Sequence, residues 1–263
     1  MYIMSYFTDS ELCARLAKSE DLLSWSDISP CPAVKKTENT VIRDPFLIRD
    51  KAGVYRMLFT VGWRGNQLGL CDSADLKEFS PTRFITVMPE NTVNVWAPEC
   101  IYSPETDDYI VFWSSTVGNC EGYDHRIWCS HTKDFISFSK AEIFFDPDFS
   151  CIDATVFPYN GGYAMIFKDE RGENKEDSIG KNLYLAFSEK AQGPFGGIKG
   201  PFSPRLVEGP CAVCKNGVYH IFFESFTKGR YNCFTTRDFA ELEDISQSVK
   251  FPENCKHFSI IEV

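Results

Sequence analysis

The sequence lacks an excess of positive charge, a long apolar run and any regular spacing of cysteines. Lys and Arg number 27 against 37 Asp and Glu, a formal net charge of −10. A phosphate backbone needs a basic face, so this balance argues against nucleic-acid binding and is compatible with a neutral substrate. No apolar stretch approaches the roughly 18 residues of a membrane-spanning helix. The first residues, MYIMSYFTDSEL, carry neither the basic segment nor the apolar core of a secretory leader. The expectation is a cytoplasmic chain, or one from which a leader has been removed. The eleven cysteines are an odd number without pattern, and most sit in apolar runs, as Cys100 and Cys129 do. They are expected to be buried, reduced thiols. Cys211 and Cys214 have C-x-x-C spacing, but in an alternating strand they face opposite sides, which argues against a zinc or redox pair.

What the chain does have is strand-forming material. Apolar residues make up 43% and aromatics 15%, with 23 Phe and 11 Tyr, a bias towards sheet. The stretch VIRDPFLIRDKAGVYRMLFT (41–60) reads as two strands joined by a turn at Lys51-Ala52-Gly53. The same template returns as WAPECIYSPETDDYIVFWSS (96–115), CIDATVFPYNGGYAMIFKDE (151–170) and VEGPCAVCKNGVYHIFFES (207–225). Tyr55, Tyr109, Tyr163 and Tyr219 are 54, 54 and 56 residues apart.

A second repeat interleaves with the first. Ser19-Glu20-Asp21-Leu22, Ser73-Ala74-Asp75-Leu76, Thr132-Lys133-Asp134-Phe135 and Thr236-Arg237-Asp238-Phe239 each follow a short apolar run, and Ser188-Glu189-Lys190 is a degenerate copy. Each such turn ends a third strand and starts a short fourth. Five copies of four strands at a period near 50 residues predict an all-β, five-bladed β-propeller. KHFSIIEV (256–263) reads as a first strand and MYIMSYF (1–7) as a second. Their pairing would close the last blade and remove open edges. One domain, 1–263, is expected, with the polar stretch 168–181 as a solvated, partly mobile connection in blade three.

Innermost strands line the channel of a propeller, and their first residues gather at one mouth. Asp44, Asp153 and Glu208 are read as equivalent first positions of blades one, three and four, and should therefore converge. Three carboxylates at one mouth repel one another, and such clusters are kept for metal binding or acid–base work. Trp96 and Trp63 are candidates to stack on the apolar face of a ligand ring, with burial between blades as the alternative. Arg43 would bridge the carboxylates or bind substrate. Glu99, two residues beyond Ala97 in the blade that breaks the pattern, would bind a ligand hydroxyl or support Arg43. His125, His131 and His220 show no legible partner.

The motifs AKSEDLLSW, RDPFLIRD, WAPECIY, CIDATVF, IFKDE, VEGPCAV, GRY and KHFSI, in this order along the whole chain, resemble glycoside hydrolase family 43. The resemblance implies an inverting glycosidase with Asp44 as general base, Glu208 as general acid and Asp153 as the residue that orients the acid and raises its pKa. It also implies that Arg230, in the Gly229-Arg230-Tyr231 turn entering blade five, contacts the acidic cluster and the sugar. His257 matches a histidine that helps hold a central water or structural calcium ion. The alternative for His257 is a neutral ring bonded to the channel wall, and Phe258 stands where the family usually has glycine. No catalytic metal or other cofactor is required. The implied substrates are oligosaccharides carrying α-L-arabinofuranosides, with β-xylosides and galactofuranosides as alternatives. Arg43-Asp44-Pro45 and Pro98-Glu99-Cys100 also resemble motifs of the retaining β-fructosidases, but that family's N-terminal Asn-Asp-Pro-Asn motif is absent. A propeller that binds carbohydrate without catalysis is a further alternative, against which the presence of all three carboxylates argues. The oligomeric state is not legible.

Overall fold

The computed structural model describes residues 1–118 and 124–263. Its regular structure is five four-stranded antiparallel sheets and one 3-10 turn, Ser246–Ser248. Blade one runs Arg43–Arg49, Tyr55–Thr60, Gln67–Ser73 and Arg83–Thr86. Blade two runs Trp96–Ser103, Asp108–Ser115, Arg126–Thr132 and Glu142–Phe145. Blade three comprises Cys151–Tyr159, Gly162–Asp169, Leu183–Ser188 and Gly196–Lys199. Blade four comprises Val207–Lys215, Val218–Ser225, Arg230–Thr236 and Glu243–Asp244. Blade five combines both ends of the chain: Lys256–Glu262 is its innermost strand, followed by Tyr2–Phe7, Arg15–Ser19 and Ser26–Asp27. The ring thus closes by pairing residues near the two ends, Tyr2 opposite Glu262 and Ser5 opposite Ser259.

Each blade is twisted against the next, and the apolar faces meet in pairs. Five separate core clusters result, one for each blade–blade interface. Phe145 of blade two, for example, meets Phe167 of blade three edge to face at 4.8 Å, and Met4 of blade five shares a cluster with Phe222 of blade four. Burying a side chain of this size contributes roughly 1.5–3 kcal/mol. The aromatic surplus noted in the sequence is spent in these five seams.

The Ser/Thr-x-Asp-Leu/Phe turns have one shared geometry. The hydroxyl of Ser19 accepts the N–H of Leu22, and Asp21 Oδ1 accepts those of Leu23 and Ser24. Thr132 and Asp134 repeat the arrangement for Phe135, Ile136 and Ser137. Leu22, Leu76, Phe135 and Phe239 all sit at positive φ, between 57° and 72°. A left-handed non-glycine residue is costly; burial of Leu22 and Phe135 at or below 1% exposure offsets that cost. All ten described cysteines are free thiols, with Cys211 buried and Cys214 exposed on opposite faces of their strand, while Cys120 lies outside the described residues.

Each innermost strand opens with the same irregularity. Arg43 lies opposite Thr60 and Phe46 opposite Leu58, so three steps on one strand match two on its neighbour. The same step occurs at Trp96/Glu99, Ile152/Thr155, Glu208/Cys211 and Lys256/Ser259. Such bulges re-aim a side chain and raise the local twist. In blades one to four the second residue of the bulge is left-handed: Asp44 at φ 50°, Ala97 at 47°, Asp153 at 53° and Gly209 at 57°. This corrects the expected equivalence. Asp44 and Asp153 do share a position, but their counterpart in blade four is Gly209. Glu208 stands one residue earlier, level with Arg43, Trp96, Ile152 and Lys256.

Candidate active site

The bulges place these residues around one recess of about 530 Å³ at the channel mouth. Asp44, Asp153 and Glu208 all line it, and Arg43, Trp63, Trp96 and His257 line it too. The volume falls within the about 300–1,000 Å³ typical of small-molecule sites.

Asp44 forms part of the floor. Its Oδ2 accepts a hydrogen bond from Thr60 Oγ1 at 2.7 Å, and its Oδ1 lies 3.3 Å from His257 Nδ1. Burial works against the carboxylate charge, but His257, Arg43 and Thr60 outweigh it and hold Asp44 below the usual carboxylate range. His257 is the reciprocal case. Burial alone would lower its pKa, yet Asp44, Asp153 and Glu99 bring it up to about 9. His257 is therefore an imidazolium at neutral pH, paired with Asp44.

Calcium takes six to eight oxygen ligands; at His257 the structure shows a ring nitrogen turned to the Asp44 carboxylate. Among the described residues, the one group with metal-like ligand spacing is Cys129, His131 and Glu142, in the outer strands of blade two.

Asp153 is 7% exposed. Its Oδ2 accepts the N–H of Gly209 at 3.1 Å, and its own N–H is donated to Ser114 Oγ. Burial, reinforced by Glu208 and Asp44 and opposed by His257 and Lys168, lifts its pKa to about 6. The bond to Gly209 ties Asp153 to the residue that follows Glu208, so the bulge of blade three fixes the bulge of blade four.

Glu208 receives a cation that the sequence reading did not identify. Lys168 Nζ lies 2.9 Å from Glu208 Oε2 and 2.9 Å from Glu170 Oε2. Arg230, expected in this role, is exposed, opens the third strand of blade four and lines a different recess with Tyr231 and Asn254. It stands two strands outward from the channel, whereas Lys168 is the penultimate residue of a second strand, Gly162–Asp169, and reaches Glu208 across the blade seam. The stretch 168–181, expected to be solvated, is likewise anchored at both ends by buried charges, with Lys168 and Lys181 held by Glu170.

Glu99 also departs from expectation. It is 6% exposed and lies below the recess rather than lining it, because it sits two residues deeper than Ala97. Burial, opposed only partly by Thr155 and His257, pushes its carboxyl up to about 8. Arg43 does not contact it. The Arg43 guanidinium lies between Phe7, at 4.7 Å, and Trp63, at 4.3 Å, and pairs with Asp9 at 3.3 Å. Trp63 is 58% exposed at the rim, and Trp96 donates its indole N–H to the Trp63 carbonyl. The two rings stand edge to face at 6.5 Å. Lys256 pairs with Glu224, which lies directly opposite Glu208 in register. His125 is fully buried against Thr116, where burial takes its pKa down to about 4, and His131 pairs with Asp108 at 3.0 Å.

The fold has counterparts among known proteins. An α-L-arabinofuranosidase of Bifidobacterium longum subsp. longum is 27% identical across a 188-residue alignment that covers 58% of this chain and 18% of that protein. The match thus spans under a fifth of that relative's length. Among solved structures, a thermostable family-43 glycoside hydrolase superposes with a TM-score of 0.61 at 15% identity, covering 80% of this chain and 74% of the other. An α-L-arabinofuranosidase from Lactobacillus brevis gives 0.58 at 16% identity, with 78% and 72% covered. An exo-β-1,3-galactanase from Phanerochaete chrysosporium gives 0.60 at 11% identity, with 81% and 51% covered. These likenesses are in fold. A family profile described as a probable glycosyl hydrolase domain, related to glycoside hydrolase family 43, matches residues 1–263, and the chain belongs to that family of glycoside hydrolases.

Proposed function

We propose that this glycoside hydrolase is an inverting, exo-acting α-L-arabinofuranosidase in which Asp44 is the general base, Glu208 the general acid and Asp153 the residue that tunes and orients the acid. The observation that carries the reading is the meeting of these three carboxylates in one recess. In an inverting reaction the base takes a proton from water, which attacks the anomeric carbon from the face opposite the leaving group. The acid gives its proton to the departing oxygen, and both residues reset by exchange with solvent. A base must be ionised at working pH, which the His257 pairing of Asp44 supports. The acid must carry a proton to the leaving oxygen, and Glu208 lines the same recess as Asp44 and Asp153.

A neutral sugar suits the recess. Arg43 is engaged with Asp9, Lys168 with Glu170 and Glu208, Lys256 with Glu224, and His257 with Asp44. A substrate carboxylate would have to displace one of these partners. The exposed face of Trp63 and the edge of Trp96 offer apolar surface to the C–H faces of a sugar ring.

The test is turnover of aryl α-L-arabinofuranoside, β-D-xyloside, β-D-galactofuranoside and β-D-galactoside, with the product anomer followed by NMR. The galactoside is included because of the galactanase fold neighbour. Arabinofuranoside hydrolysis with inverted product is expected. Asp44→Asn should be inactive on every leaving group. Glu208→Gln should lose about 10²–10⁴-fold on poor leaving groups and far less on activated ones. Retained configuration, or wild-type rates from Glu208→Gln on both substrate types, would refute the assignment.

A further inference from the structure

Lys168 lies opposite Ile152 in the second strand of blade three, with 3% of its side chain exposed. Its ammonium stands 4.9 Å over the ring of Phe226. Burial would favour the neutral amine, but Glu208, Glu170 and Asp153 outweigh it and hold Lys168 charged. Glu170 in turn takes Lys181 Nζ on its other oxygen at 2.7 Å. The result is a chain of alternating charge, Glu208–Lys168–Glu170–Lys181, that starts in the recess and ends within the blade.

This chain answers a problem that any proton donor beside a buried cation must meet. Glu208 changes charge in every turnover. If Glu208 were the only partner of Lys168, protonating it would strand a buried ammonium, which costs several kcal/mol. The donor would then be trapped as the carboxylate. A second carboxylate at the same 2.9 Å distance removes that penalty. Lys181 keeps Glu170 itself compensated while Lys168 is drawn to Glu208. We infer that Lys168 is the positioning residue for Glu208, and that Glu170 is its alternate counter-ion, so that the ammonium leans from one carboxylate to the other as Glu208 loses and regains its proton. The inference rests on Glu208 being the acid. The charged and titratable groups facing Glu208 are Lys168 and Glu170, Asp153, Glu224, Tyr231 and Lys256.

The test is the pH profile of kcat/KM on an aryl glycoside for Lys168→Met and Glu170→Gln, each also made in the Glu208→Gln background. Removing the ammonium destabilises the Glu208 carboxylate, so Lys168→Met should move the basic limb to higher pH by about one unit or more. It should also lower kcat through loss of orientation. Removing the negative charge of Glu170 leaves Lys168 to Glu208 alone, so Glu170→Gln should move the same limb to lower pH. Neither substitution should move the profile once residue 208 is glutamine. Shifts of the same sign, or no shift while Glu208→Gln abolishes the limb, would overturn the inference. Persistence of the limb in Glu208→Gln would instead overturn the acid assignment, and the role of Lys168 with it. Should Lys168→Met fail to fold, the isosteric Glu170→Gln still decides by the direction of its shift.

Discussion

Thr60 ends the second strand of blade one and is 2% exposed. Its hydroxyl does two things at once: it donates to Asp44 Oδ2 at 2.7 Å and accepts the N–H of Ala97 at 2.9 Å. Ala97 is the left-handed residue of the blade-two bulge, so one side chain ties the proposed base to the neighbouring blade. Thr60→Val keeps the shape and removes both bonds. A hydrogen bond to a charged group contributes about 1.5–3 kcal/mol, and leaving a buried N–H without an acceptor costs about 1–3 kcal/mol. The two overlap, so a loss of about 3 kcal/mol is expected, or roughly 6–10 °C in Tm for a chain of this size. Thr60→Ser keeps the hydroxyl and should cost only about 1 kcal/mol for the lost methyl. Urea unfolding of the three proteins reads the difference directly. Because Thr60 helps to lower the Asp44 pKa, the acidic limb of the valine variant's pH–rate profile should also move to higher pH. If valine and serine variants are equally stable within about 0.5 kcal/mol and the limb does not move, the proposed bridge is wrong.

The His257–Asp44 pair gives a second prediction with a definite sign. A histidine whose folded pKa is raised from 6.5 to about 9 contributes stability that is fully present below pH 6.5 and is lost as pH rises through 9. His257→Gln should therefore lie below wild type by about 3 kcal/mol at pH 6, with the gap closing by pH 10; a gap independent of pH would rule out the charged pair. Gly209→Ala provides a third. The residue is at φ 57°, and an added Cβ would stand 2.9 Å from His257 Cγ, so loss of both stability and activity is expected. The same change at Gly65, at φ 130° with nothing within 4 Å, should leave turnover intact, and equal activity in the two variants would remove the steric argument.

The sequence by itself determined the architecture, because its information is local and repeated. The four tyrosines near a 54-residue spacing, the Ser/Thr-x-Asp turns and the strand-like ends each state a short-range preference, and five copies of a four-strand unit have one way to bury their faces. The five seams of core and the closure of Lys256–Glu262 on Tyr2–Phe7 follow from that pattern. The convergence of Asp44, Asp153 and Glu208 was legible for the same reason, since the first residues of the innermost strands must meet at one mouth. The tertiary structure decided what depends on single-residue offsets and on groups distant in sequence. Gly209 takes the left-handed position of the bulge and so moves Glu208 one residue out of step with the aspartates, a difference that a count of motif positions misses. Lys168 was visible within IFKDE, yet nothing in its neighbours says that its ammonium crosses to blade four; Arg230 carries the same charge and ends exposed, two strands outward. His257 owes its charge to Asp44, more than two hundred residues away. Periodic backbone preferences can be read along a chain, whereas the electrostatic partner of a buried group is set by which side chains the closed ring brings within a few ångströms.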